Sequence, residues 1–178
     1  MLINITFLPY TLHHHPPCPP PISLIMDLNT LRTLHAIGNY PSIITELTTN
    51  SSISNFSNEI NSEFLVLGWK SILKGTGDVS KCAQFLSSTS NLQISEILKK
   101  SLMLWSKVYK NHIINQPPSS SDITALREIG LKAHEAVEIE QVEREQIILI
   151  SAEALLMLSA ISESFSLLKL SKASNLDW

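Results

Sequence analysis

Among the residues that could do chemistry, the histidines are the first candidates, as metal ligands. His134 and Glu138 stand four residues apart in "HEAVE", a spacing that puts two ligands on one face of a helix. A di-iron or zinc site in a helical bundle needs further ligands, usually Glu-x-x-His on other helices, and that motif is absent. The run from His13 to His15 lies among prolines that fix no ligand geometry. We therefore predict no metal site and interpret "HEAVE" as solvated helix.

Nucleophiles and phosphate-binding loops give no stronger signal. Serines are plentiful, but neither Gly-x-Ser-x-Gly nor Ser-x-x-Lys occurs in a usable context. The stretch "GWKSILKGTGD" lacks the Gly-x-x-x-x-Gly-Lys-Ser/Thr pattern of a phosphate loop, and its glycines follow a helical segment instead of a strand. The sequence therefore predicts a protein that is not an enzyme, with no cofactor and no small-molecule substrate.

Composition narrows the class of protein further. Of the 178 residues, 44% are hydrophobic and 16% charged, which is too apolar for a disordered chain and indicates that some apolar surface meets another protein. A net charge of −3 argues against a dedicated nucleic-acid binder. The most apolar stretch, residues 147–161, contains Glu153 and is shorter than the roughly twenty residues of a membrane span.

The sequence favours an intracellular protein, nuclear or cytoplasmic. The apolar start "MLINITFLPYTL" has no positively charged region and no small-residue cleavage site, so secretion is not predicted. Asn4, Asn50 and Asn55 begin glycosylation triplets that matter only outside the cell. Cys18 and Cys82 form no disulfide framework, and Cys82 fits a buried position in an apolar helical pattern.

Hydrophobic periodicity predicts an all-α fold in which a small helical bundle is followed by a long or broken C-terminal helix. Residues 1–26 form a Pro/His-rich leader that we expect to be disordered, and we hypothesise that Met26 is the functional start. Helical periodicity then covers 27–115, "QPPSSS" at 116–121 forms a linker, and 122–178 is the long helical region.

Several helix ends are predictable from capping residues. Gly38 is expected to end the first helix, and Pro41 suits the first turn of the second. A third helix with apolar residues from Ile53 to Ile72 is expected to close at Gly75 and Gly77, and Asp78 to cap the fourth. Ser90 and Gln93 have capping-box spacing and are expected to open the fifth. Its predicted apolar face contains Ile94, Ile97, Leu98, Leu102, Trp105, Val108, Tyr109 and His112.

The C-terminal region leaves two alternatives open. Ser121 or Asp122 is the expected cap, and a narrow seam then runs from Ile123 to Val137. Residues 147–161 are apolar on every side, so they must be enclosed by protein. Either they lie at the centre of the bundle, or they pair with another chain and make residues 147–170 an oligomer contact.

The segment from Leu73 to Asn115 resembles the N-terminal helical domain of transcription elongation factor S-II. It is also similar to the integrase-binding domain of the lens-epithelium-derived growth factor family, whose pattern extends here to "SDIT" at 121–124. The basic turn typical of the elongation-factor branch is replaced by "FLSSTSN", and the long C-terminal helix has no counterpart. The matching positions are Thr76, Val79, Lys81, Leu86, Ile94, Ile97, Lys100, Ser101, Met103, Leu104, Trp105 and Lys107.

This resemblance implies a nuclear module that docks disordered segments of transcription proteins. In the growth-factor branch, apolar residues of an interhelical loop make the contact, and Leu92 and Ile94 match them; the alternative is that both pack beneath the loop. We also predict partner contacts at Lys99 and Trp105, although a solvated helix face explains the lysines of that helix better than an acidic or nucleic-acid partner does. The alternative function is a structural subunit of a tethering or cytoskeletal assembly that pairs through residues 122–170. An extracellular inhibitor-type bundle is a third reading, which the missing cysteine framework opposes.

Overall fold

Eight helices make up the described part of the chain, which in this computed structural model comprises residues 27–49, 58–89 and 94–171. No strand occurs in these ranges, so the all-α prediction is confirmed. The leader, the glycosylation triplets at Asn50 and Asn55, and residues 172–178 lie outside them. The helices are α1 (Leu28–Ala36), α2 (Tyr40–Thr49), α3 (Asn58–Thr76), α4 (Val79–Ser88), α5 (Glu96–Ile113), α6 (Ser120–Glu135), α7 (Gln141–Met157) and α8 (Ile161–Leu168).

The helix ends follow from local capping chemistry. Gly38 and Gly77 adopt φ values of 72° and 68°, the left-handed conformation that ends α1 and α3 at little cost to glycine. The Asp78 carboxylate accepts a hydrogen bond from the Ser80 amide, 2.8 Å away, at the start of α4. These predictions are confirmed.

The starts of α5 and α6 differ from prediction. Ser95 is the cap of α5, where its hydroxyl accepts from the Leu98 amide at 3.1 Å, and Ile94 precedes the helix. Ser90 and Gln93 lie outside the described residues. Ser119 stands at the cap position of α6, and Asp122 instead lies in the first turn and forms an ion pair with Lys107 at 2.6 Å.

The N-terminal helices gather around α3. Helices α1, α2 and α4 each contact it, because α3 is apolar over much of its circumference and only helices on several sides can shield it from water. Trp69 is 1% exposed, and its indole Nε1 donates to Ser106 Oγ on α5 at 2.7 Å. The largest fully buried side chains of the described residues are Trp69, Trp105, Phe64, Leu31, Ile43, Leu65, Leu73, Leu98, Leu102, Leu126, Ile147 and Ile150.

The apolar C-terminal region folds back onto these helices and surrounds α7. Helix α7 contacts α3, α5, α6 and α8, so the all-round apolar stretch lies at the centre of the bundle. The C-terminal region, predicted as a long or broken helix, is broken twice, at residues 136–140 and at Ser159, where φ is 58°. One continuous core joins the predicted bundle at 27–115 to the region beyond the 116–121 linker. None of the described helices is both long and apolar enough to cross a bilayer.

Candidate docking groove

A groove lies between α2 and α4 on the surface of the described residues. Both helices pack on α3 at Gly68: a Cβ there would lie 2.6 Å from the Phe85 ring of α4 and 3.3 Å from Leu47 Cδ1 of α2. The missing side chain lets α2 and α4 approach α3 from neighbouring sides. Because α2 and α4 both run antiparallel to α3, they are roughly parallel to each other, and their facing sides border the groove.

The groove has a volume of about 360 Å³ and a mainly apolar lining. Ile72 of α3 and Phe85 of α4 form its floor and are 3% and 5% exposed. Ile44 is partly exposed on the α2 wall. Among the described residues, the lining comprises Ile44, Leu47, Thr48, Ile72, Lys81, Gln84, Phe85 and Ser88. A pocket of this size and polarity suits one or two apolar side chains of a ligand.

The polar groups at the rim fall into two kinds. The Thr48 hydroxyl donates to the Ile44 carbonyl at 2.8 Å and the Ser88 hydroxyl to the Phe85 carbonyl at 2.7 Å, so both are already satisfied by the backbone. Lys81 and Gln84 are exposed and form no hydrogen bond or ion pair with any residue that the structure describes. They stand one turn apart on α4 and are therefore the polar groups available to a ligand.

Positive charge gathers at the end of the groove that carries Lys81. Asp78 caps α4 one turn before Lys81. Its pKa is lowered first by hydrogen bonds from the Ser80 hydroxyl and amide, and further by the positive charges of Lys81 and Lys110. Lys74, in the last turn of α3, adds a cation at the same end of the bundle. The Asp78 carboxylate, which caps the α4 N-terminus, therefore lies near two cations, Lys81 and Lys110.

Three of the four predicted partner residues lie in the described part of the chain, and their surroundings differ. Leu92 lies outside the described residues. Ile94 is half-buried and packs against the core, as in the alternative reading. Lys99 forms an ion pair with Glu96 at 2.6 Å on the exposed side of α5. Trp105 is 0% exposed and stacks on Tyr109 at 5.1 Å, so its selection as a contact residue is corrected: it belongs to the core and cannot reach a partner.

A second polar cluster lies where α3, α5 and α7 meet. Lys70 of α3 pairs with Glu153 of α7, and its ammonium nitrogen lies 5.3 Å from the Trp105 ring centroid. Burial lowers the pKa of Lys70, whereas the charge and hydrogen bond of Glu153 raise it. The ion pair joins α3 to α7 at a contact that is otherwise mainly apolar.

His35 of α1 and Ser71 of α3 form the one Ser–His hydrogen bond within the described ranges, with 2.8 Å between Nδ1 and Oγ. The Ser71 hydroxyl donates to the Leu67 carbonyl at 2.7 Å, so Nδ1 of the imidazole must carry the proton that completes the chain. Ser71 is 0% exposed, and a substrate cannot reach its oxygen. The pair therefore joins α1 to α3 and does not form an accessible nucleophile.

The remaining candidates for chemistry are separated by the fold. Helix α6 ends at Glu135, so Glu138 lies in the following turn and the helical spacing assumed for His134 and Glu138 does not exist. Among the described residues, no group of three or more His, Cys, Asp or Glu could hold a metal ion. Cys82 is 0% exposed, and burial raises the pKa of its thiol to about 12.

Hydrophobic periodicity describes one helix at a time, whereas the groove lies between two helices. The pattern therefore could not reveal the groove. Phe85 was correctly expected in the core, but nothing in the spacing says that α2 and α4 stay apart. The available signal was the apolar content of α2, where Ile43 and Leu47 are buried and Ile44 stays partly exposed beside the groove. Comparison with protein-family models, curated proteins and solved structures gives no match to this chain.

Proposed function

We propose that this chain is a non-enzymatic helical module that binds another protein by docking one of its segments in the α2–α4 groove. The observation that carries the proposal is an apolar groove whose two exposed polar groups, Lys81 and Gln84, form no hydrogen bond or ion pair with the residues that the structure describes. An apolar centre with polar groups at its rim is the usual composition of a recognition site.

The process in which the module acts is proposed from the resemblance alone. The elongation-factor and growth-factor domains suggest partners among disordered segments of nuclear transcription proteins. This resemblance assigns its loop contact to Leu92 and Ile94, which are not among the groove residues named above. A partner could use both surfaces, but the groove argument rests on its own lining residues.

A structural subunit remains the second candidate, supported by an exposed apolar surface near the end of α7 and on α8. Leu156, Ile161 and Phe165 are 48%, 57% and 58% exposed. Ile161 and Phe165 are four residues apart and share one face of α8. Helix α7 itself is enclosed by four helices, so pairing with another chain through 147–170 would have to use these three side chains.

The proposed function is tested by filling the groove. Gln84→Trp places an indole in it from an exposed position, and the matched control Ala83→Trp places the same side chain on the exposed side of α4. Both proteins should keep the wild-type circular dichroism spectrum and melting temperature. In quantitative capture from native extract, we expect specific proteins retained by wild type and Ala83→Trp to be lost with Gln84→Trp.

Two other results would redirect the assignment. Equal capture by Gln84→Trp and wild type would remove the groove from the function. Capture that survives Gln84→Trp but is lost with Phe165→Asp would favour the structural subunit, because that substitution places a charge in the exposed apolar face of α8.

A further inference from the structure

We infer that the occupant of the α2–α4 groove is an amphipathic helical segment of another protein, about two turns long, with two apolar anchors and an acidic end over Lys81. This inference rests on the proposed function and names the chemistry of the partner. It follows from the length of the groove, the modes of peptide recognition that its walls allow, and the distribution of charge.

The groove length fits two helical turns. Its α4 wall extends from Lys81 to Ser88, which is about 10 Å at 1.5 Å per residue. Its α2 wall is shorter, from Ile44 to Thr48. An occupant that follows this path can direct two side chains, three or four residues apart on one helix face, toward Ile44, Ile72 and Phe85. The volume of about 360 Å³ leaves little room for more.

The walls disfavour the other common modes of peptide recognition. Adding a strand requires an exposed sheet edge, and the described residues contain no strand. Polyproline segments bind in grooves lined by several aromatic rings, whereas Phe85 is the single aromatic residue among the described lining residues and is 5% exposed. A helix in a groove between two helices needs only the apolar contacts that are present.

Charge sets the direction of the occupant. Only Gly77 and Asp78 separate the end of α3 from the start of α4, so Lys81, in the first turn of α4, lies toward the C-terminal end of α3. The opposite end carries Thr48 and Ser88, whose hydroxyls already bond to backbone carbonyls. A carboxylate of the occupant therefore gains most at the Lys81 end, where Gln84 can bind a neighbouring polar group of the peptide.

The direct test uses the full chain and fluorescent peptides with an alanine-rich helical background. The probe carries two leucines four residues apart and two glutamates at one end. One control replaces the central alanine with proline, and another replaces both glutamates with lysine. We expect the probe to bind, the proline peptide to show no measurable binding, and the lysine-ended peptide to bind about threefold to tenfold more weakly.

Charge reversal on the protein supplies the matched experiment. Lys81→Glu should weaken binding of the acidic probe about threefold to tenfold and improve binding of the lysine-ended peptide, whereas Lys100→Glu on α5 makes the same charge change outside the groove and should alter neither. Equal binding of the proline peptide would overturn the helical occupant, and an unchanged preference in Lys81→Glu would overturn its acidic end.

The test also separates failure of this inference from failure of the proposed function. If none of the peptides binds, yet capture from extract still depends on an open groove, the inferred occupant is wrong and the function stands. If the probe binds wild type and Gln84→Trp equally, the groove itself is wrong. Self-association of the purified chain that disappears with Gln84→Trp would identify a second copy as the occupant and would also overturn the inference.

Discussion

At the scale of single residues, burial decides which of the chemically interesting side chains can act. Cys82 lies between α4 and α3, where its sulfur is 3.6 Å from the carbonyl oxygens of Trp69 and Asp78. Ser71 is equally inaccessible, and the Trp105 indole nitrogen is buried with no hydrogen-bond partner among the described residues. These groups contribute to packing, whereas the exposed Lys81 and Gln84 remain available for recognition.

The Cys82 thiol should be almost unreactive in the folded protein. Burial raises its pKa from the ordinary 9.0 to about 12, so the thiolate fraction at neutral pH falls about a thousandfold, before restricted access slows reaction further. We expect a Cys18→Ser variant to resist labelling with a maleimide until denaturant is added. Labelling at the rate of a free thiol under native conditions would show that Cys82 is accessible.

His35 should make stability depend on pH. Burial lowers the pKa of its imidazole, Lys74 and Lys70 lower it further, and Glu153 acts in the opposite direction. The folded state therefore binds the proton less readily than the unfolded state. The stabilising contribution is complete above the ordinary histidine pKa of about 6.5 and is lost as the pH falls from there through the lowered pKa of the folded state.

The measurement is the melting temperature between neutral and mildly acidic pH. His35→Gln can still donate to Ser71 but does not titrate, so we expect a smaller decline on acidification than in wild type. His112→Gln replaces an exposed histidine of α5 and should keep the wild-type decline. A decline that is identical in all three proteins would contradict the assignment to His35.

At the scale of helices, close approach at glycine determines the geometry of the groove. A Cβ at Gly68 would lie 2.6 and 2.9 Å from two atoms of the Phe85 ring. Gly68→Ala gains about 1 kcal/mol of helix propensity but costs about 1–3 kcal/mol through overpacking. We expect a net loss of about 1 kcal/mol in the free energy of unfolding, measured by urea denaturation.

The double variant provides the control for Gly68→Ala. In a Phe85→Leu background the ring that clashes with the new methyl group is gone, so Gly68→Ala should become neutral or stabilising. A loss of similar size in both backgrounds would show that the cost does not arise from the α3–α4 contact.

The presence and several ends of the helices could be predicted from the sequence, but the way in which the helices pack together could not. Gly38, Gly77 and Asp78 act through their own backbone and immediate neighbours, so their roles could be read locally. Whether α2 and α4 leave a groove, and whether Trp105 faces a partner or the core, depends on which helices meet. Those contacts join residues far apart in the chain: Trp69 bonds to Ser106, and Lys70 pairs with Glu153. The apolar spacing of α5 is compatible with a Trp105 side chain that faces the core and with one that faces a partner.

At the scale of the whole molecule, α3 and α7 form the two centres of one core. Helices α1, α2 and α4 pack around α3; α5, α6 and α8 pack around α7; and α3 contacts α7 and α5 directly. The Lys70–Glu153 pair crosses that junction. The two groups of helices therefore share a buried boundary, and we expect them to unfold together.

Ile147→Ala tests this coupling. Ile147 is 0% exposed in α7, and its truncation should cost about 2–5 kcal/mol through lost burial and the cavity left behind. If the molecule unfolds as one unit, the substitution should lower the free energy of opening measured by hydrogen exchange by the same amount in α3 and in α7. Leu156→Ala, at a half-exposed position of the same helix, is the control and should change protection in both helices only slightly. Loss of protection confined to α5–α8, with α3 unchanged, would mean that the α3 group folds independently and carries the groove by itself.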